Sequence, residues 1–508
     1  MSLSIIKKSS KDEHSLKFEK HRTKKERHEK GQFFTHEEIV DFILDNVPLK
    51  KDFSYLDPSC GAGAFLQKLV ARGIPQKNIW GIDIDAEPLK FCKNNIKISK
   101  TKLFKGNTLK KSPVEKNSFD VIVGNPPFKT ISKKSDLYDH NSFLFRNVLR
   151  GSVNLATLMV AKSLDLLKDG GYLGFVLPKN FLRVKSFSKL RNFILDNCRI
   201  IKIYDIDHHF KDVRGDQIII ILKKEKLSAT ELNNHKVKIS IHKKGINFGK
   251  GDNYELKQKE FYDYQFYPIF YDKKIYYMAK KLLTINKNIS DFSDTIFRGL
   301  TINPSDDLIS ENKGENKIKI FRGDSIAPFA IKYPLYANLK KISNINKQKT
   351  KKLLRKKIVI QNIFSKEGGI YSTFSNEKEL NISTVTNIVP INEEDVYFYL
   401  GIMNSEIANF FMIFVMYLVS NFTMHTDEEY IGKIPVPNVS KKDKYQVSII
   451  VKDILKLRDK KGKEFSKLYK KLNTYLFKIY SMTKKDEKII IEALNEVMSK
   501  KRRRNLYG

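Results

Sequence analysis

The sequence predicts an α/β chain: a doubly wound, largely parallel sheet, then a mixed α+β domain, then a helical C-terminal region. Three observations carry that prediction. Short β-branched runs alternate with helical periodicity from residue 53 to residue 225. A Gly-rich turn, DPSCGAG at 57–63, joins the first run to a helix, and a carboxylate, Asp83, closes the next strand about 20 residues on. Residues 236–390 read as strand-rich and irregular, whereas 441–500 return to helical spacing. The expected division is an arm at 1–30, a doubly wound domain at 31–235, a mixed domain at 236–440 and a helical region at 441–508.

Composition narrows the function classes. The chain has 508 residues, 41% hydrophobic and 11% aromatic, which suits a folded protein of several cores rather than a disordered one. Its formal charge of +37 points to a polyanionic partner, with a lysine-rich composition from an AT-rich genome as the alternative source. The three cysteines (Cys60, Cys92 and Cys198) have no CxxC spacing, which argues against a disulfide framework and a zinc site. No apolar core follows the N-terminal lysines, so no secretory signal is expected. Ile407–Thr426 is uncharged over the length of a membrane span. Asn409, Ser420, Asn421 and His425 interrupt it and Glu406 abuts it, which predicts a buried helix followed by a loop.

Residues 1–30 are rich in Lys, Glu, His and Arg and suit a solvated arm or a phosphate-touching one. In GQFFTHEEIVDFILDNV (31–47), Thr35 suits an N-cap with Glu38 three residues on, and Ile39, Val40, Ile43 and Leu44 mark one helical face. FSYLDPSCGAGAFLQKLVAR (53–72) reads as strand, Gly-rich loop and helix, stopped at Gly73. Gly61 and Gly63 permit close approach of a ligand to the backbone. Leu66 stands where a dinucleotide fingerprint has its third glycine, and Asp57 before the loop would repel a pyrophosphate. A carboxylate there suits an ammonium or sulfonium. With Asp83 placed for a ribose, the pair points to S-adenosylmethionine. AEPLKFCKNNIK follows as a helix and LFKGN (103–107) as a short strand, where Asn107 suits either an adenine edge or a turn.

FDVIVGNPPF (119–128) reads as a buried strand that Gly124 turns sharply into Asn125-Pro126-Pro127-Phe128. Two prolines cannot extend a helix or a central strand. They hold the Asn125 side-chain oxygen and the Pro126 carbonyl at the strand's end, beside the Phe128 ring. Two acceptors on a planar exocyclic amine favour a pyramidal, nucleophilic nitrogen, while the ring stacks on the base. Alone, the stretch also reads as a proline-rich loop. Onward, 154–168 and SFSKLRNFILDNC are helical, while YLGFVLP, RIIKIYDID and QIIIILKKE are strands. HHFKDVRGD between the last two carries Phe210, and His208 and His209 lack metal spacing. Further on, KKIVIQNIF (356–364) reads as one strand, TKKD (483–486) as a helix start and KKRRRN (500–505) as a basic tail.

GQFFT, DPSCGAG with GID, NPPF, and a Phe before the sheet's last strand occur in that order. The chain thereby resembles the gamma-class DNA adenine-N6 methyltransferases of restriction–modification systems, closely over residues 30–225. The resemblance implies an S-adenosylmethionine-dependent methyltransferase fold with a C-terminal target-recognition domain, to which STVTNIVPIN, YLGIMNSEIANFF and YIGKIPVPN are similar. It implies Thr35, Asp57, Ser59, Gly61, Gly63, Asp83, Ile84, Asn107 and Asn125 around S-adenosylmethionine. Asn125, Pro126, Pro127 and Phe128 would act on the target amine, with Phe128 and Phe210 stacking on the extruded base and no metal involved. Double-stranded DNA is the implied partner, a separate cognate endonuclease a candidate one, and the prokaryotic cytoplasm the expected location. Two departures stand out: Asn107 where the family usually has Asp, and Phe128 in place of the commoner Tyr. The rivals are a methyltransferase for another planar nitrogen (cytosine N4, RNA guanine N2 or protein glutamine), a fused restriction–modification enzyme, and a non-catalytic DNA-binding module.

Overall fold

A computed structural model describes residues 35–96, 102–110, 113–207, 216–242, 252–264, 266–302, 308–420, 423–457 and 462–507. The arm at 1–30, the GQFF of the first motif, and His208, His209 and Phe210 lie outside the described residues. The chain forms two compact units, residues 1–272 and 273–508.

In the first unit, helix α1 (Glu37–Asp45) buries Ile39, Val40, Ile43 and Leu44, the face its spacing predicts. Strand β1 (Tyr55–Asp57), helix α2 (Ala64–Ala71), β2 (Ile79–Asp83), α3 (Ala86–Ile96), β3 (Leu103–Lys105) and β4 (Phe119–Gly124) follow. A two-strand pair, β5 (Thr130–Ile131) and β6 (Val153–Asn154), flanks α4 (Phe143–Val148). Then come α5 (Leu155–Leu166), β7 (Leu167–Pro178), α6 (Ser188–Asn197), β8 (Cys198–Asp207), β9 (Gln217–Lys224), β10 (Lys236–Ile241) and β11 (Asp252–Lys257).

Nine strands share one sheet in the order β11-β10-β8-β9-β7-β4-β1-β2-β3. The pairs from β3 through β2, β1 and β4 to β7 are parallel, while β9 runs antiparallel to both β7 and β8. The order reverses between β1 and β4, and a crevice at the carboxyl ends of these neighbours is where open α/β sheets bind ligands. The strands are apolar because helices cover them: Val121, Ile122 and Val123 of β4 and Ile218–Leu222 of β9 are fully buried.

The boundary differs from the sequence-based one. β10 and β11, placed at 236 onward in the mixed domain, extend the nine-stranded sheet, with Ile239 opposite Ile203 in a parallel pair. Residues 258–272 belong to the same unit: the Tyr267 N–H donates to the Leu182 carbonyl at 2.7 Å and its hydroxyl to the Arg191 carbonyl at 3.0 Å. Local pattern does not reveal which distant strand a new strand joins, so the sheet's outer two strands are not legible in the sequence.

The second unit holds two four-stranded sheets. One is antiparallel and contains Ser293–Arg298, Val385–Pro390, Lys357–Gln361 and Ser372–Ser375. The expected strand at 356–364 is split at Asn362, since Ile363–Phe364 pairs instead with Met424–His425. Helices Val396–Met403 and Glu406–Phe410 are buried, and the latter runs on as a π-helix, Phe411–Met416, buried throughout. No single helix among the described residues is long and apolar enough to cross a membrane. The region 441–508 is no separate domain: its helices lie in this unit, and the Tyr469 hydroxyl donates to the Asn404 carbonyl at 2.9 Å. Thr483 and Asp486 form the capping box expected of TKKD.

Candidate active site

Two loops meet at the carboxyl edge of the sheet. The first, after β1, begins with Asp57, which is 2% exposed. Its Oδ1 accepts the Ser59 N–H at 3.1 Å. Burial first, and the Asp83 carboxylate second, push the Asp57 pKa up to about 8. Gly61 and Gly63 have φ of +50° and +86°, the left-handed region that favours glycine, and Gly63 starts α2 in that conformation. A Cβ on Gly61 would meet nothing within 4 Å, so the loop faces open space there. The Gly61 N–H donates to Asp83 Oδ2 at 2.8 Å and the Asp85 N–H to Asp83 Oδ1 at 2.8 Å. The carboxylate predicted at the end of β2 is thus locked against the loop. Ile84 next to it is 56% exposed.

The turn after β3 closes the same side. The Gly106 N–H donates to the Asp83 carbonyl at 3.0 Å. The buried Thr108 hydroxyl donates to the Pro58 carbonyl at 2.8 Å. Asn107 has two internal partners: Oδ1 accepts the Leu109 N–H at 2.9 Å and Nδ2 donates to the Leu137 carbonyl at 3.0 Å. Of the two roles its sequence position allows, the turn role is visible, and a lone pair on Oδ1 is left over.

The second loop follows β4. Gly124 is not among the positive-φ glycines, so the sharp turn expected there is not its reason. Its reason is crowding: a Cβ would stand 3.0 Å from Asp57 Oδ1 and 3.3 Å from Phe175. The parallel pairing Tyr55↔Val121 and Leu56↔Ile122 thus sets the NPPF tetrapeptide against the Asp57 carboxylate. Pro126 is buried, Asn125, Pro127 and Phe128 are half-buried, and Phe128 packs against the core that contains Ile39 and Val123. Asn125 Nδ2 donates to Thr35 Oγ1 at 3.1 Å. This corrects the role expected of Thr35: the N-cap of α1 is His36, with no side-chain cap bond, and the Thr35 hydroxyl instead orients Asn125. With the amide nitrogen engaged, no hydrogen bond to the Asn125 oxygen is seen among the described residues.

Sequence reasoning missed two features. Thr108 ties the β3 turn to the first loop, and its only signal is a hydroxyl just after a short strand. Lys179, directly after β7 and half-buried, pairs at 2.6 Å with the buried Asp205 of β8 at the same sheet edge. The two strands are not neighbours, so no spacing rule links them.

The residues fit S-adenosylmethionine on three counts. The Asp57 carboxylate is buried beside another carboxylate, an environment that a cation would relieve. The Ser59 hydroxyl is buried without a hydrogen-bond partner. Gly61, whose N–H donates to Asp83, has no described atom within 4 Å of where a Cβ would stand. Asp57, Ser59, Gly61 and Asp83 are the groups that would hold it.

Comparisons with known proteins point the same way. The type II methyltransferase M.VspI of Vibrio sp. (strain 343) is 29% identical over 204 residues, which cover 39% of this chain and 49% of that protein. M.HincII of Haemophilus influenzae is 30% identical over 178 residues, 34% of this chain and 32% of that one. The chain thus spans at most about half the length of these relatives. Among solved structures, the type IIL restriction–modification enzyme MmeI, determined in complex with DNA, aligns with a TM-score of 0.57. That alignment has 14% identity and covers 96% of this chain and 76% of that one, a likeness of fold. A profile for N-6 DNA methylases matches residues 18–294, more than half of the sequence, and on that match the chain belongs to the N-6 DNA methylase family.

Proposed function

We propose that this protein transfers a methyl group from S-adenosylmethionine to N6 of an adenine extruded from duplex DNA, as the modification activity of a restriction–modification system. The observation that carries the reading is the parallel pairing of β1 with β4, which brings Gly124, the residue before NPPF, against Asp57 Oδ1. It supports an amine-binding tetrapeptide beside a cation-seeking pocket at the point where the strand order reverses. The bound cofactor supplies an electrophilic methyl group. The chain's own residues do the rest. Asp57 and Ser59 hold the amino-acid end and Asp83 the ribose, with exposed Ile84 and the spare Asn107 lone pair beside the adenine. The Asn125 oxygen and the Pro126 carbonyl accept the two hydrogens of the target amine, drawing its lone pair out of conjugation, and Phe128 supports the base by stacking.

Removing a base from its stack takes a few kcal/mol, which stacking on an aromatic ring at about 1–3 kcal/mol helps to offset. Phe210, outside the described residues, remains the proposed second stacking group. Catalysis by positioning needs neither a covalent intermediate nor a thiol. Cys60 is buried, and burial raises its pKa well above the usual thiol value.

Labelled methyl transfer from the pure protein to duplex DNA, RNA and protein, followed by long-read sequencing of the DNA, tests the reading and reports base and context. Asn125→Ala should lower methyl transfer at least about 100-fold while leaving cofactor affinity nearly unchanged. Full activity in that variant would remove Asn125 from the mechanism. Label on cytosine N4, RNA or protein alone would replace the adenine reading with one of its rivals.

A further inference from the structure

The residues that follow NPPF form an arm that the mechanism above does not use. Lys129 leaves the tetrapeptide, and β5 and β6 close the root through Thr130↔Asn154 and Ile131↔Val153. The arm packs on itself around Tyr138, which is 6% exposed. The Tyr138 hydroxyl donates to the Lys133 carbonyl at 3.0 Å, and its ring lies 4.2 Å from that of His140. Two bonds clasp the arm to the turn after β3. Asn107 Nδ2 donates to the Leu137 carbonyl at 3.0 Å and the Asp139 N–H to the Leu109 carbonyl at 3.2 Å.

The outer surface of this packed arm is unusual. Phe143 is 72% exposed. On the same helix Arg146, one turn on, is exposed; Lys133 and Lys134 earlier in the arm are exposed too, as are Asp136 and Asp139, and among the described residues no ion pair joins these cations to a carboxylate. An exposed ring one turn from an exposed guanidinium complements a surface that is anionic along its edge and flat and apolar within. A nucleic-acid duplex opened at one base has that chemistry.

We propose that residues 129–146 are a DNA arm of the active site, clasped to the cofactor-side turn by Asn107, in which Phe143 and Arg146 engage the strand around the extruded base. The proposal rests on the DNA-methyltransferase reading and assigns Asn107 the part of a positioning residue. An asparagine supplies both the acceptor for Leu109 and the donor for Leu137; the aspartate usual in the family has no donor for Leu137.

The test uses the full chain, S-adenosylhomocysteine, and a duplex carrying the sequenced methylation site with a fluorescent adenine analogue at the target. Cofactor affinity is read from Trp80, the chain's one tryptophan, on β2. Phe143→Ala should weaken DNA binding about tenfold and lower the extruded fraction at saturation, with cofactor affinity unchanged. Asn107→Asp should reproduce that DNA-side loss, and its extrusion defect should persist at saturating S-adenosylhomocysteine. Phe143→Ala with wild-type binding and extrusion overturns the arm and leaves the methyltransferase reading standing. Asn107→Asp that changes cofactor affinity alone overturns the clasp. Wild-type protein that methylates no duplex DNA overturns the underlying reading and the arm with it.

Discussion

Asp57 is a carboxylate taken out of water beside a second carboxylate, and its behaviour follows from that. The unfolded chain ionises it near 3.8, whereas the folded chain holds its proton up to about 8. Between those values the folded state binds more protons, so its contribution to stability is fully present below pH 4 and lost as pH rises towards 8. Asp57→Asn should remove that slope, on the order of 1 kcal/mol per pH unit at most. Denaturation midpoints of both proteins at pH 5 and 8 check it: an equal loss in the two excludes Asp57 as the source. A positive ligand group favours the ionised form, so cofactor affinity should rise from pH 6 to 8 with release of a proton, measured by calorimetry in two buffers. Thr35 carries a different lesson. Its hydroxyl suits a helix cap by position, yet it bonds Asn125, ninety residues away. Local rules name the group's chemistry and leave its partner open.

The sequence suggests a basic tail at 500–505, whereas the last helix, Lys500–Tyr507, is a latch within the second unit. Arg502 is 3% exposed, donates to the Ile370 carbonyl at 2.9 Å and lies 4.2 Å over the Tyr371 ring. Arg503 donates to Glu406 at 2.7 Å, and Glu406 is 2% exposed. That buried carboxylate also answers the membrane question raised by Ile407–Thr426: the apolar run belongs to a protein core closed at one end by an ion pair. Arg503→Ala strands the Glu406 charge and should destabilise the protein by about 3 kcal/mol. Arg503→Ala combined with Glu406→Gln should recover part of the loss. Chemical denaturation measures both, and a single variant as stable as wild type would discount the latch.

Charge works over the whole molecule. The formal +37 is not spread evenly: between Asp324 and Glu367 there is no acidic residue. In that interval, helices Leu339–Ile345 and Lys347–Leu353 bury Ile342 and Leu353 and expose Lys340, Lys341, Lys347, Lys351 and Lys352. Duplex DNA binding should therefore weaken steeply with salt. Changing Lys340, Lys341, Lys347 and Lys351 to Gln together should reduce the log–log salt slope by about 3 to 4. A salt titration of binding reads this directly, and an unaltered slope would mean that these lysines only solvate the surface.

The amino-acid sequence by itself determined the type and order of strands β1 to β4 and β7 to β9 and of helices α1, α2, α3, α5 and α6, because burial on both faces demands β-branched runs and a covering helix demands a 3.6-residue stripe. It also marked the candidate site groups, since Asp57, Gly61, Asp83 and NPPF sit where strands end and can be read without partners. Only the tertiary structure decided which groups meet. Thr35 with Asn125, Gly124 against Asp57, Asn107 with Leu137, Arg503 with Glu406, and β10 beside β8 are all pairings between residues far apart in the chain. The physical reason is that secondary structure and side-chain chemistry are local properties, whereas a hydrogen bond, an ion pair or a strand register is a choice among many distant partners. That choice is made when the sheet closes its order and the cores pack.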